Sequence, residues 1–267
     1  MKDFYEANKK MWDEFAKVHF ESDDYNVKEF LAGETTLKPY ELQELGIVKE
    51  KTLLHLQCHF GLETLSWARE GAIVTGVDFS PQAIKIARQL TEMTKLEAKF
   101  IESNIYDLPK NLSEKFDIVY TSIGVLCWLQ DLKKWGEIVS YFLKPGGIFY
   151  IAEIHPFAMV FDEEHETELQ LRYDYFHNDT PMEFEVEGTY AVKEAKIKQN
   201  KSYEWIYSFS DVINSLINAG LKIEFLNEYP FTVYKGFPFA EKESDGYWRL
   251  QNQKATLPLL FTLKARK

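Results

Sequence analysis

The sequence predicts an α/β protein built on a doubly wound, mainly parallel sheet with helices on both faces. Three observations carry this reading. Leu53-Leu-His-Leu56 is a short apolar run that feeds a tight turn, Gln57-Cys58-His59-Phe60-Gly61. Leu62, Leu65 and Ala68 then recur at helical spacing, with Gly71 where a C-terminal helix cap belongs. A second apolar run, Ala72 to Val77, closes on Asp78. Strand, turn, helix and strand form a βαβ unit, and an acid at the end of its second strand can accept both hydroxyl hydrogens of an adenosine ribose. The spacing of Asp78 from Gly61 fits the roughly 20 residues expected in such units.

The remaining elements follow from their breaks. Residues 1–48 read as an N-terminal helical cap: Met11, Trp12, Phe15 and Val18 share one face of a helix over Asn8 to His19, and Thr36 to Leu45 suits a second helix ending at Gly46. Ser80-Pro81 opens a helix with a capping serine and a first-turn proline, and Ile84, Ala87 and Leu90 form its buried stripe. Asp131 to Leu143 is a further helix on the sheet. After Pro156 helical periodicity is lost, and Phe184, Val186, Tyr190 and Val192 alternate instead. Residues 156–202 therefore read as a mainly β insertion of antiparallel strands and loops after the fifth strand, placed to act as a substrate lid. The core is expected over 49–155 and 203–267, with a capping box at Ser208-x-x-Asp211. Leu221 to Asn227 and Leu257 to Leu263 are the last strands. The long loop between them, Pro230 to Thr256, holds Phe231, Tyr234, Phe237, Phe239, Tyr247 and Trp248.

Composition narrows the partners. The 267 residues carry a net charge of −11 and no dense Lys/Arg cluster, which argues against a nucleic-acid partner. No run of 18 apolar residues is present, so no membrane span is expected. Two cysteines, and a start lacking a basic-then-apolar signal, suit a cytoplasmic protein. Cys58 and Cys127 read as small buried side chains, and no metal site is expected.

The turn decides the cofactor. A dinucleotide needs Gly-x-Gly-x-x-Gly so that a pyrophosphate can approach the helix N-terminus. Here the turn has one glycine, and Glu63 at the helix entrance would repel a diphosphate but not a sulfonium with an ammonium. His55, Gln57, His59 and Gly61 occupy the places of acidic-x-Gly-x-Gly-x-Gly, the first motif of the class I S-adenosylmethionine-dependent methyltransferases, which the chain resembles. Phe100 to Pro109 resembles that family's third-strand segment, Phe116 to Leu129 its fourth strand and exit loop, and Leu143 to Glu153 its Pro-Gly-Gly turn and fifth strand. The resemblance covers about residues 50 to 155, with weaker echoes at 203 to 229 and 256 to 266. It implies a Rossmann-like sheet of seven strands, the last antiparallel between the fifth and sixth.

The resemblance also implies the site. S-adenosylmethionine, leaving as S-adenosylhomocysteine, is expected at Trp12 and at the turn residues Gln57, Cys58, His59 and Gly61, with Gly61 the closest backbone approach. Asp78, Phe79 and Ser80 are expected at the ribose. Ser103, Asn104, Ile105 and Tyr106 are expected at the adenine, Asn104 accepting from its amino group. Ser122, Ile123 and Gly124 complete the cradle. His155, after the fifth strand, is the candidate general base because an imidazole titrates near working pH; His19 and Glu153 stand behind it. The expected reaction is methyl transfer to oxygen or nitrogen of a small, partly apolar molecule. A cofactor-binding protein without turnover and a nicotinamide-dependent oxidoreductase are the competing readings. Monomer and homodimer both remain open.

Overall fold

The computed structural model describes residues 2–251, 253 and 255–267. The chain opens with α1 (Lys2–Phe20), α2 (Val27–Leu31) and α3 (Pro39–Leu45). The βαβ unit follows as β1 (Thr52–Leu56), α4 (Leu62–Arg69) and β2 (Ile73–Asp78). Next come α5 (Pro81–Thr94), β3 (Ala98–Glu102), the short α6 (Leu108–Asn111), β4 (Phe116–Thr121), α7 (Leu132–Phe142) and β5 (Leu143–Ile154). A ribbon of β6 (Met182–Glu185) and β7 (Lys201–Glu204) precedes α8 (Phe209–Asn218) and β8 (Lys222–Tyr229). A second ribbon, β9 (Ala240–Lys242) with β10 (Trp248–Leu250), comes before β11 (Leu260–Arg266).

Seven strands form one sheet in the order β3-β2-β1-β4-β5-β11-β8. The first five are parallel, and β11 runs antiparallel between β5 and β8. This is the seven-stranded sheet the resemblance implies. Its central strands are covered on both faces, which is why they read as near-continuous apolar runs. Winding reverses between β1 and β4, so the carboxyl ends of those strands bound a crevice where ligands of such sheets bind.

On one face, Trp135, Ile138 and Phe142 of α7 and Val212 and Leu216 of α8 bury Leu54, Val119 and Phe149. The two helices cross closely at Gly136, where a Cβ would stand 2.4 Å from the Ser215 carbonyl oxygen. On the other face, Tyr40 and Leu45 of α3 and Trp67 of α4 pack on Leu53, Tyr120 and Tyr150. Three helices begin at side-chain caps, of which Ser80 and Ser208 are read as caps from the sequence. Ser80 Oγ accepts Ala83 N–H, Asp131 Oδ1 accepts Lys134 N–H, and Ser208 and Asp211 form a reciprocal box, each cap contributing about 1 kcal/mol.

Helix α1 starts earlier than the apolar spacing suggests, and the last strand starts at Leu260 rather than Leu257. In the 156–202 segment β6 ends at Glu185. Tyr190 and Val192, expected in a strand, lie in turns: Gly188 has φ 75° and Thr189 N–H closes on the Val192 carbonyl at 3.0 Å. Of the four alternating residues, Phe184 pairs with Ser202 in the ribbon, while Tyr190 packs on Trp12 and His19 of α1.

Candidate active site

The turn after β1 keeps a left-handed backbone without the glycines that usually permit it. Gln57 has φ 57°, His59 φ 51° and Gly61 φ 80°. Non-glycine residues in this region cost about 1–2 kcal/mol each, so other bonds must hold the shape. Cys58 N–H donates to the Val77 carbonyl, Gly61 N–H to the Cys58 carbonyl, and His59 N–H to Asp78 Oδ2, all at 2.8–2.9 Å. The side chains then reach outward. Gln57 Nε2 donates to the Val125 carbonyl at 3.0 Å, and His59 Nε2 lies 3.2 Å from His19 Nδ1 of α1. Trp12 packs edge-on against His59 and Trp128, and Tyr25 shares a hydrogen bond with Tyr190 beside His19. At Gly61, expected as the bare approach to a ligand, the core also requires glycine: a Cβ there would stand 2.5 Å from the Phe100 ring.

Asp78 ends β2 and is 6% exposed. Its Oδ1 accepts Ser80 N–H at 2.9 Å while Oδ2 holds His59. A carboxylate oxygen has two lone pairs, so each retains one for a hydroxyl donor. Burial pushes its carboxyl up to about 6, against the backbone hydrogen bonds that pull it down. Ser80 Oγ donates to Asp13 Oδ1 of α1 at 2.7 Å, and Gln82 N–H donates to the same oxygen. Sequence reasoning missed Asp13, and also Tyr5, whose ring packs 5.6 Å from Phe79. Both lie on α1, which reads simply as an amphipathic helix; the lone signal was an acid on its packed side.

At the third strand, Asn104 Oδ1 caps the following turn by accepting Tyr106 N–H at 2.9 Å, which leaves one lone pair on that oxygen. Ser103 N–H donates to the Asp78 carbonyl, and Ile105 is buried. Tyr106 points away, exchanging hydrogen bonds with the Asp131 backbone, and lines a pocket of about 590 Å³ between the starts of α7 and α8. At the fourth-strand exit, Ser122 Oγ lies 3.1 Å from His55 Nε2, while His55 Nδ1 meets Thr64 Oγ1 at 2.8 Å. His55 is thus a hydrogen-bonded core histidine, held neutral by burial that lowers it to about 3. Glu153 accepts the backbone N–H groups of Gly124, Val125, Leu126 and Ile154 at 2.5–3.1 Å, fixing the loop that carries Ile123 and Gly124.

His155, the candidate base, is held at both ring nitrogens. Its Nδ1 accepts Phe157 N–H at 3.0 Å, which places the ring proton on Nε2, and Nε2 donates to Glu228 Oε1 at 2.8 Å. Both nitrogens are engaged, the ring stacks on Phe209, and burial lowers its pKa. His19 and His59 are likewise held neutral by burial. The thiols of Cys58, which is buried, and of the half-buried Cys127 are pushed up by desolvation, which disfavours the reactive thiolate. Glu63, Glu153 and Glu204 are raised by burial, Glu204 to about 7. Among the described residues no group of three or more His, Cys, Asp or Glu is arranged to hold a metal, and no helix is long and apolar enough to cross a membrane.

A seven-stranded sheet of this order, with an acid at the end of β2 facing a left-handed turn after β1, defines the class I S-adenosylmethionine-dependent methyltransferase fold. Residues 54–151 of the chain match the methyltransferase domain model. An uncharacterized methyltransferase of Synechocystis sp. is 32% identical over 126 residues, covering 47% of this chain and 57% of the relative. A ubiquinone biosynthesis O-methyltransferase of Serratia proteamaculans is 28% identical over 116 residues, 43% of this chain and 48% of that one. The chain thus spans about half the length of these curated relatives. An S-adenosylmethionine dependent methyltransferase from Mesorhizobium loti superposes with a TM-score of 0.61 over 89% of this chain and 100% of that chain, at 19% identity.

Proposed function

We propose that the chain transfers a methyl group from S-adenosylmethionine to oxygen or nitrogen of a small acceptor. The observation that carries this reading is Asp78: a carboxylate at the carboxyl end of β2, with one lone pair free on each oxygen, beside the left-handed turn that follows β1. That arrangement fits a ribose with two adjacent hydroxyls. The turn around Gln57 and His59, Asp78, and Asn104 with Ile105 would hold the cofactor, which brings its own electrophilic methyl group.

The protein's share is then to align the acceptor and exclude water, which can supply several kcal/mol of rate acceleration. Trp12, Tyr25, Trp128 and Tyr190 form the aromatic wall for this, together with the neutral His19 and His59. No free imidazole base stands at the end of β5, which favours acceptors that lose their proton readily. Calorimetry with S-adenosylmethionine, S-adenosylhomocysteine and NADH tests the cofactor, and a labelled-methyl screen of phenols and amines tests transfer. Binding of NADH alone would overturn the reading; binding without transfer to any acceptor would leave a cofactor-binding protein.

A further inference from the structure

Three side chains stand where the family's first motif has an acid and two glycines, and two of them reach the same neighbour. From β1, His55 Nε2 meets Ser122 Oγ at 3.1 Å. From the turn, Gln57 Nε2 donates to the Val125 carbonyl at 3.0 Å. Both partners lie on the loop after β4, which Glu153 grips from β5 through the N–H groups of Gly124, Val125 and Leu126. Trp128 Nε1 closes the loop on itself by donating to the Gly124 carbonyl at 2.9 Å.

We propose that Gln57 is a positioning residue, with His55 its partner from β1, tying the first turn to the fourth-strand exit loop so that the two walls of the cofactor site are set before the cofactor arrives. The inference rests on the cofactor reading above. Its physical basis is a cost accepted without another visible return. A glycine at 57 would relieve a backbone φ of 57°, yet the chain keeps a side chain there and its amide spans to Val125. The usual expectation for replacing a strained non-glycine residue by glycine is a neutral or stabilising change. If the amide bridge sets the site, the same replacement weakens binding while leaving the fold as stable as before.

Two variants of the full chain test this. Gln57→Gly removes the bridge and the strain together. Gln57→Glu keeps the shape but places an acceptor against the Val125 carbonyl. Calorimetry with S-adenosylhomocysteine should show each binding about three- to tenfold more weakly, the range expected for one net hydrogen bond. Amide exchange in residues 122–128 should speed up in both, while the melting temperature of Gln57→Gly stays level or rises. Wild-type affinity in either variant, or unchanged exchange in 122–128, would overturn the proposal. Failure of the wild-type protein to bind S-adenosylhomocysteine would instead overturn the cofactor reading, so the two failures are distinguishable.

Discussion

The Asp78 carboxylate accepts the backbone N–H of His59 at 2.8 Å, so the acid at the end of β2 and the turn after β1 form one unit. Ser80 N–H on the other oxygen extends the unit into α5. Losing the carboxylate therefore does two things: it removes the acceptor for a ribose and leaves buried N–H groups without a partner.

Asp78→Ala should weaken S-adenosylhomocysteine binding at least tenfold, since charge-assisted hydrogen bonds contribute about 1.5–3 kcal/mol each. The pH dependence has a definite sign. The free carboxyl titrates near 6, raised by burial, and hydroxyl donors prefer its ionised form. Affinity should be full above about pH 6 and fall as pH drops through that value, by up to tenfold per pH unit. Calorimetry across this range in the wild type and in Asp78→Asn checks it, because the asparagine variant should lose that slope.

Gly61→Ala tests whether the turn's remaining glycine serves packing. A Cβ at φ 80° would meet the Phe100 ring at 2.5 Å. Strain and overpacking together should cost about 2–4 kcal/mol. Phe100→Ala in the same chain should recover part of the overpacking term, giving a favourable coupling in a double-mutant cycle by denaturant unfolding. Strict additivity would mean that the ring is not the obstacle.

Glu41 gives the fold a second pH dependence. Its carboxyl is 3% exposed, accepts Lys38 N–H at 2.8 Å and the Tyr120 hydroxyl at 2.5 Å, and is pushed by burial to about 7 from 4.5. Between those two values the unfolded chain is ionised and the folded one is not. Stability should therefore fall as pH rises through this window and stay lower above about 7. Glu41→Gln lacks this titration, so its stability relative to wild type should improve by about 3 kcal/mol from the bottom to the top of the window. Denaturant unfolding at several pH values measures the difference.

The sheet was legible because its central strands are buried on both faces, so β1, β2, β4 and β5 announce themselves as apolar runs, and because Ser80 and Ser208 signal helix starts by local chemistry. What escaped reading depends on partners distant in sequence. The His155 imidazole looks like a free base until Glu228, 73 residues on, accepts a hydrogen bond from its Nε2. Glu153 looks like a strand-end acid until it meets the loop N–H groups 27 to 29 residues back. The turn's left-handed form at Gln57 and His59 was hidden because no glycine marks it; Asp78 and the β2 backbone impose it instead. Residue type alone pointed to Asp78 and Asn104, but only the fold shows how many of their lone pairs remain.

The aromatic segments flanking the strand ends are not equivalent, and this sets the last prediction. Trp12 meets His59, Trp128 and Tyr190 at the site, and α1 is tied down by Asp13 on Ser80 and Gln82, by His19 on His59, and by Asn8 on the Tyr203 backbone. Tyr247 instead stacks on Phe231 at 4.2 Å and lies near Tyr40 of α3, at the sheet edge. A lid must touch the site it closes, so α1 qualifies and residues 240–250 do not. S-adenosylhomocysteine should raise amide-exchange protection in residues 2–25, whose polar ties can open without disrupting the sheet, and leave 240–250 unchanged. His19→Ala cuts the tie to the turn and should speed exchange in α1 before ligand is added. Slow exchange in α1 that neither the ligand nor this variant alters would make the helix a fixed part of the core, and the acceptor would then have to enter from the Trp128 side.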